Sequence, residues 1–168
     1  MRLYHGSLSR IDAPRIMERA LYRPLDFGTG FYATSSHEQA LRWVRNRLDY
    51  STSTTSGFVN VYDFDEAGFN ASGLKRLDFS VNHVEVNWLR FVMRNRRENN
   101  PEHHYDLVTG PVANDRVYTV IAGYEAGFMD EETAIRRMKT YRLANQYLFH
   151  TAAALRFLSF IGIEEVAR

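Results

Sequence analysis

Three short segments carry residue types that could act on a small ligand: "LYHGS" at 3–7, "GTGFYAT" at 28–34 and "NQYLFH" at 145–150. His5, Gly6 and Ser7 stand together at the end of an expected strand, where a core strand would use Val or Ile. They supply a ring nitrogen, a gap in the side-chain surface and a hydroxyl within one turn. In the second segment a glycine turn runs into an aromatic strand, and Trp43 follows Tyr32 by eleven residues on the next expected helix. Two rings delivered from a strand and its adjoining helix can close on a flat heterocycle. In the third, Asn145 and Gln146 place two amides at the start of a strand. Each piece has a plainer use: His5 in a capped turn, Tyr32 and Trp43 in the core, Gln146 satisfying backbone groups.

The elements that must position these residues are legible from pattern. Residues 2–5 read as a strand, and Asp12 with Pro14 reads as the start of a helix over "RIMERALY". A strand over Phe31–Thr34 leads to a helix capped by Ser35 or Ser36, with Glu38 or Gln39 three residues on and Ala40, Leu41, Trp43, Val44 and Leu48 on one face. "DYSTSTTSG" is a polar loop. "GFVNVYDFD" alternates, with Phe58, Asn60, Tyr62 and Phe64 on one side. "KRLDFS" is a weaker strand, "HVEVNWLRFVMRNRR" a helix ending before "ENNPEHH", and "YDLVTGPVA" a buried strand with a Gly-Pro stop. Asn114 or Asp115 caps a helix through Ala126, and another helix runs from Asp130 to Tyr141 with acidic residues first and basic ones last. "NQYLFHT" and "FLSFIGIEEV" complete the strands. The class is α+β, one domain over 1–168.

In order along the chain the three segments resemble the ADP-ribosyltransferase superfamily, in its diphtheria-toxin and poly(ADP-ribose) polymerase branch, marked by histidine, tyrosine and glutamate. "HGS" is similar to that branch's first strand, "GTGFYAT" to its glycine and tyrosine strand, and "NQYLF" to its final asparagine and glutamate strand. "DLVTGPVAND" extends a closer resemblance, across nearly the whole chain, to a bacterial family assigned to that superfamily and found in toxin and antitoxin loci. The resemblance implies a split antiparallel sheet flanked by helices, with NAD as co-substrate in the cleft between its halves. It implies that His5 bonds the adenosine ribose, that the Gly6 backbone and Ser7 hydroxyl hold the nicotinamide amide, and that Tyr32 and Trp43 stack on its ring. Asn145 and Gln146 would then face the ribose, with His5, Tyr32 and Gln146 as the catalytic set. The implied activity is transfer of one ADP-ribose to a macromolecule, protein or nucleic acid, by a cytoplasmic toxin or defence effector with a cognate antitoxin.

Gln146 departs from the pattern, since an amide carries no charge and cannot be a base. Cleaving the nicotinamide glycosidic bond leaves an oxocarbenium-like ribose that a carboxylate would stabilise. Either Gln146 orients the ribose for an acceptor that is already nucleophilic, or Asp26, Asp106 or Asp115 supplies the charge, or the fold binds without turnover. His150, four residues along the strand from Gln146, lies about 13 Å away, too far to share a reacting atom. Poly(ADP-ribose) elongation is not expected, and NAD hydrolysis is a related alternative.

Composition bounds the rest. The 168 residues carry a net charge of +1, so bulk electrostatics do not argue for a nucleic-acid partner. All cationic side chains except Lys75 and Lys139 are arginines, which suit phosphates and carboxylates. No cysteine is present, which removes disulfides and thiolate zinc sites. No apolar run reaches the roughly 20 residues of a membrane span and the start lacks a signal-peptide stretch, so an unprocessed protein without membrane partners is expected. "GTG" is not a G-x-G-x-x-G fingerprint, and no P-loop or serine-hydrolase elbow is present. "HEQAL" lacks a second histidine and "EHHYD" a thiolate, so no metal is expected, and His103 and His104 read as loop residues.

Overall fold

The computed structural model describes residues 1–16, 25–80, 85–97, 104–112, 115–138 and 144–168. Seven strands, β1 (Arg2–Ser7), β2 (Phe31–Thr34), β3 (Ser56–Phe64), β4 (Arg76–Asp78), β5 (Leu107–Pro111), β6 (Asn145–Phe149) and β7 (Leu158–Ala167), join in one sheet of order β4-β5-β6-β2-β1-β3-β7. The helices are α1 (His37–Tyr50), α2 (Glu66–Ala71), α3 (Val86–Arg97), α4 (Asp115–Glu125), α5 (Glu131–Met138) and α6 (Ala152–Leu155). The α+β expectation holds. The all-antiparallel sheet needs correction, because β4 runs parallel to β5 while every other neighbouring pair is antiparallel. The chain between them contains α3, the kind of crossover that a parallel pair requires.

Paired residues share a face of the sheet, so the register sorts the side chains. One face carries Tyr4, Gly6, Tyr32, Thr34, Val59, Gln146 and Leu148, and the other carries Leu3, His5, Phe31, Ala33, Asn60, Tyr62, Tyr147 and Phe149. On the first face α1 buries Ala40, Val44 and Leu48 against Val59 and Val166. Beside it, Trp88, Leu89 and Val92 of α3, Val117 and Ile121 of α4, and Ala134 and Met138 of α5 close over Val108 and Leu148. The second face holds an aromatic core of Phe31, Tyr62, Phe64, Phe69 and Phe149, closed by α2 and α6.

Local chemistry explains the boundaries. Ser36 rather than Ser35 caps α1: its hydroxyl accepts the Gln39 N–H at 3.2 Å. Asp65, Asp130 and Thr151 cap α2, α5 and α6 in the same way. Pro14–Ile16 is not helical, and the remainder of "RIMERALY" lies outside the described residues, as do His103, Asn114 and Tyr141. The short helices α2 and α6 have no counterpart among the expected elements.

Candidate functional site

The site is a place where the sheet comes unzipped. Met1 and Phe64 exchange both backbone bonds, at 2.6 and 2.7 Å, and the β1–β3 register continues from them without interruption. Bonded and non-bonded pairs alternate in an antiparallel ladder, so Leu3, His5 and Ser7 spend their backbone groups on β3. Arg2, Tyr4 and Gly6 therefore turn theirs toward β2. Tyr4 meets Thr34 there, and the pairing stops. Gly6 would next meet Tyr32, but the register of β1 with β2 goes no further than Tyr4 and Thr34. The Gly6 N–H and C=O thus point into a seam that the sheet leaves open.

His5 reaches across that seam. Its Nδ1–H donates to the Tyr32 carbonyl at 2.6 Å, and its ring packs on Phe31 with centroids 4.7 Å apart. Burial lowers the imidazole pKa below 6.5; the carbonyl bond opposes the shift, and the nearby Arg47 charge adds to it. A neutral ring with its proton fixed on Nδ1 presents Nε2 as an acceptor. Because the folded pKa lies below the unfolded value, the unfolded chain takes up the proton first as pH falls. His5 therefore contributes stability that is complete above pH 6.5 and is lost as pH falls below it. We expect the melting temperature of the wild type to drop more steeply between pH 7.5 and 5.5 than that of His5→Gln. Equal slopes would mean that His5 titrates normally.

Tyr32 is held at its far end. Its hydroxyl donates to the Gly28 carbonyl at 2.7 Å and accepts the Phe27 N–H at 3.1 Å. Burial, reinforced by the Asp26 charge, raises its pKa well above the usual phenol value. The glycine turn before it is needed for packing: Gly30 has φ +153°, and a Cβ there would come within 2.5 Å of the Phe149 carbonyl oxygen. Trp43 begins beside Gly6, but its ring turns outward, half-exposed, under the Arg47 guanidinium at 4.7 Å. Among the described ring contacts none joins Tyr32 to Trp43. The space over Gly6 is also taken: a Cβ there would fall inside the Ala40 carbonyl oxygen and lie 3.1 Å from Trp43 Cβ. Gly6 is thus required first by the approach of α1. Ser7 spends one lone pair on its turn, accepting the Ser9 N–H at 3.1 Å.

Gln146 lies one strand inward from the seam, paired with Thr34 and only 8% exposed. Its Nε2 donates to the Pro111 carbonyl at 3.2 Å. Gln146 and the Tyr32 ring leave one face of the sheet and His5 the other, so the structure joins His5 to Tyr32 through the Tyr32 carbonyl alone and keeps Gln146 behind Thr34. Asn145 is on the His5 side, with Nδ2 3.4 Å from the Tyr147 hydroxyl and a buried Oδ1 that finds no partner. The alternative carboxylates are engaged. Asp26 takes two bonds from Arg96, at 3.0 and 2.6 Å, and Asp106 holds the Lys75 N–H and the Thr151 hydroxyl, each at 2.8 Å. The Asp115 side chain lies outside the described residues. His150 donates from Nδ1 to the Thr29 carbonyl at 2.7 Å.

Two residues of this neighbourhood escaped sequence reasoning. Asn60 is fully buried: Oδ1 accepts the Ile11 N–H at 2.7 Å, and Nδ2 reaches the His5 and Ser9 carbonyls at 3.3 and 3.2 Å. Thr34 closes the paired end of the seam, its hydroxyl 2.6 Å from Gln39 Oε1 and 2.8 Å from the Asn145 carbonyl. Asn60 could have been found as the polar member of an otherwise aromatic strand face. Thr34 gave no such signal.

A comparison with protein-family models matches residues 1–160 to the family described as "Protein of unknown function (DUF3990)". The chain belongs to this family. The match includes the whole seam, from β1 and β2 through β6. No curated protein and no solved structure matches the chain. Among the described residues no group of side chains is arranged to hold a metal ion, and no helix is long and apolar enough to cross a membrane.

Proposed function

We propose that this DUF3990 domain binds NAD at the β1–β2 seam and transfers its ADP-ribose to a macromolecular acceptor, as a bacterial toxin or defence effector of the cytoplasm held in check by a cognate antitoxin. The observation that carries the reading is the backbone edge of Gly6, an N–H and a C=O side by side just beyond the last registered β1–β2 pair. A carboxamide such as that of nicotinamide offers the complementary acceptor and donor. His5 Nε2 accepts from a ribose hydroxyl. The ordered resemblance of "HGS", "GTGFYAT" and "NQYLF" to ADP-ribosyltransferases supports the same assignment.

In this reaction the glycosidic bond to nicotinamide breaks with its electron pair leaving on the nicotinamide nitrogen, which cancels the pyridinium charge. Positive charge develops on the ribose, and a lone pair of the acceptor forms the new bond to that carbon. An amide such as Gln146 takes no proton, so the acceptor's proton goes to water.

A second reading, a binding module that turns over nothing, is favoured by Gln146 being spent on the Pro111 carbonyl and by Asp26 and Asp106 being paired. Nicotinamide release from NAD by wild type and Gln146→Glu separates the two. The transferase reading expects release by the wild type and, because residue 146 sits behind Thr34, retained release by the variant. NAD binding with no release from either protein, acceptor supplied, would favour the silent module.

A further inference from the structure

The outer side of α1 carries a groove for which the NAD reading has no use. While Ala40, Val44 and Leu48 face the core, Trp43, Asn46, Arg47 and Tyr50 line, with Leu8 and Ser51, an open groove of about 580 Å³. Trp43 is 50% and Tyr50 is 91% exposed. The Arg47 guanidinium sits over the Trp43 indole, and Arg168 donates to the Ser51 carbonyl at 3.0 Å, which places a second guanidinium at the far end. None of the lining residues is acidic.

We propose that this groove binds single-stranded nucleic acid. Two aromatic rings seven residues apart on one helix face stand about 10 Å apart along its axis, roughly three nucleotides at the ~3.4 Å rise of a stacked strand. Ring faces stack bases whatever their identity, guanidinium groups neutralise the phosphates, and the Asn46 amide matches base edges. A duplex hides the base faces on which Trp43 and Tyr50 would stack. The cationic, carboxylate-free lining complements a polyanion. The groove also starts at the seam, since Trp43 Cβ adjoins Gly6 and Leu8 follows Ser7.

As the acceptor surface of the proposed transfer the groove rests on the NAD reading; as a binding surface it does not. A nucleobase suits a site without a base. The lone pair of a ring nitrogen bonds to the ribose carbon as the bond to nicotinamide breaks and its electron pair leaves with nicotinamide. The positive charge that NAD carried then rests on the modified base, which keeps it or releases a proton to water.

The test is fluorescence titration of the full chain with single-stranded DNA and RNA oligonucleotides of about twelve nucleotides, within the usual site size. Trp88 is buried, so quenching reports Trp43. Saturable quenching is expected, weakening with salt and about tenfold weaker in affinity in Tyr50→Ala and Arg47→Ala. The stronger of the two arms identifies the nucleic acid. Because Tyr50 is almost wholly exposed, its loss leaves the fold intact. No binding, or equal affinity in wild type and Tyr50→Ala, would overturn the proposal, as would capture of peptides but not oligonucleotides. Oligonucleotide binding by a wild type that does not bind NAD would support the surface and remove its use as an acceptor site. NAD binding without oligonucleotide binding would overturn the surface and leave the NAD reading standing.

Discussion

Gly6→Ala is expected to destabilise the protein by about 3 kcal/mol, the upper part of the range for overpacking, and to lower its melting temperature by about 6–12 °C at this chain length. The added Cβ falls inside the Ala40 carbonyl oxygen and against Trp43 Cβ. The first obstacle is helix backbone, which cannot rotate away as a side-chain tip can, so α1 must lift from β1. That shift also moves Trp43 and the Gly6 edge, and NAD binding falls with stability. Thermal unfolding of the variant checks the first effect and calorimetry at low temperature the second. A melting temperature within a degree of wild type would mean that α1 is free to slide.

Asn60→Leu is expected to cost a similar amount, about 3 kcal/mol. The substitution keeps the volume and removes the groups that satisfy the Ile11 N–H and the His5 and Ser9 carbonyls, and each buried polar group left without a partner costs about 1–3 kcal/mol. The segment after β1 is then held by the Tyr62 hydroxyl on the Ile11 carbonyl alone among these contacts. Denaturant unfolding reads the loss. Asn60→Asp, which keeps the acceptor for Ile11 but not the donor, is expected to fall in between at neutral pH. An Asn60→Leu protein as stable as wild type would mean that water replaces the amide.

Much of this fold was legible because its signals are local. Ser36, Asp130 and the alternation of "GFVNVYDF" mark their own elements, and each stands where expected. What was not legible depends on distant pairing. A parallel β4–β5 pair cannot be told from an antiparallel one in strands this short, and α2, six residues long, has too few positions for a period. His5 and Gln146 illustrate the limit within the site. Period-two alternation says which residues of one strand share a face, but not how the phase of β1 relates to that of β6. That relation is set through Tyr4, Thr34 and Gln146 across two pairings, and it puts the two side chains on opposite faces. The seam itself is a pairing that stops, which no single strand encodes. The packing reason for glycine at position 6 was not legible either, because the nearest group to its missing side chain is the carbonyl oxygen of Ala40 on the next helix.

Asn60 and Thr34 give the seam its two fixed ends. Asn60 pins the segment that leaves β1, and Thr34 pins the last bonded rung, while His5 keeps the Tyr32 carbonyl from seeking Gly6. An open edge in the middle of a sheet would otherwise close, since unpaired backbone groups there lose bonds worth about 1 kcal/mol each. Three separate side chains hold it open, which is the physical case for a ligand between β1 and β2.

The most direct test is calorimetric titration of NAD into the wild-type protein and into His5→Ala, with free nicotinamide as a second titrant. The account predicts one saturable NAD site in the wild type, lost or at least tenfold weaker in His5→Ala, and competition by nicotinamide through the Gly6 edge. No heat from NAD with a correctly folded wild type, or equal affinity in the two proteins, would contradict it and leave the seam without its ligand.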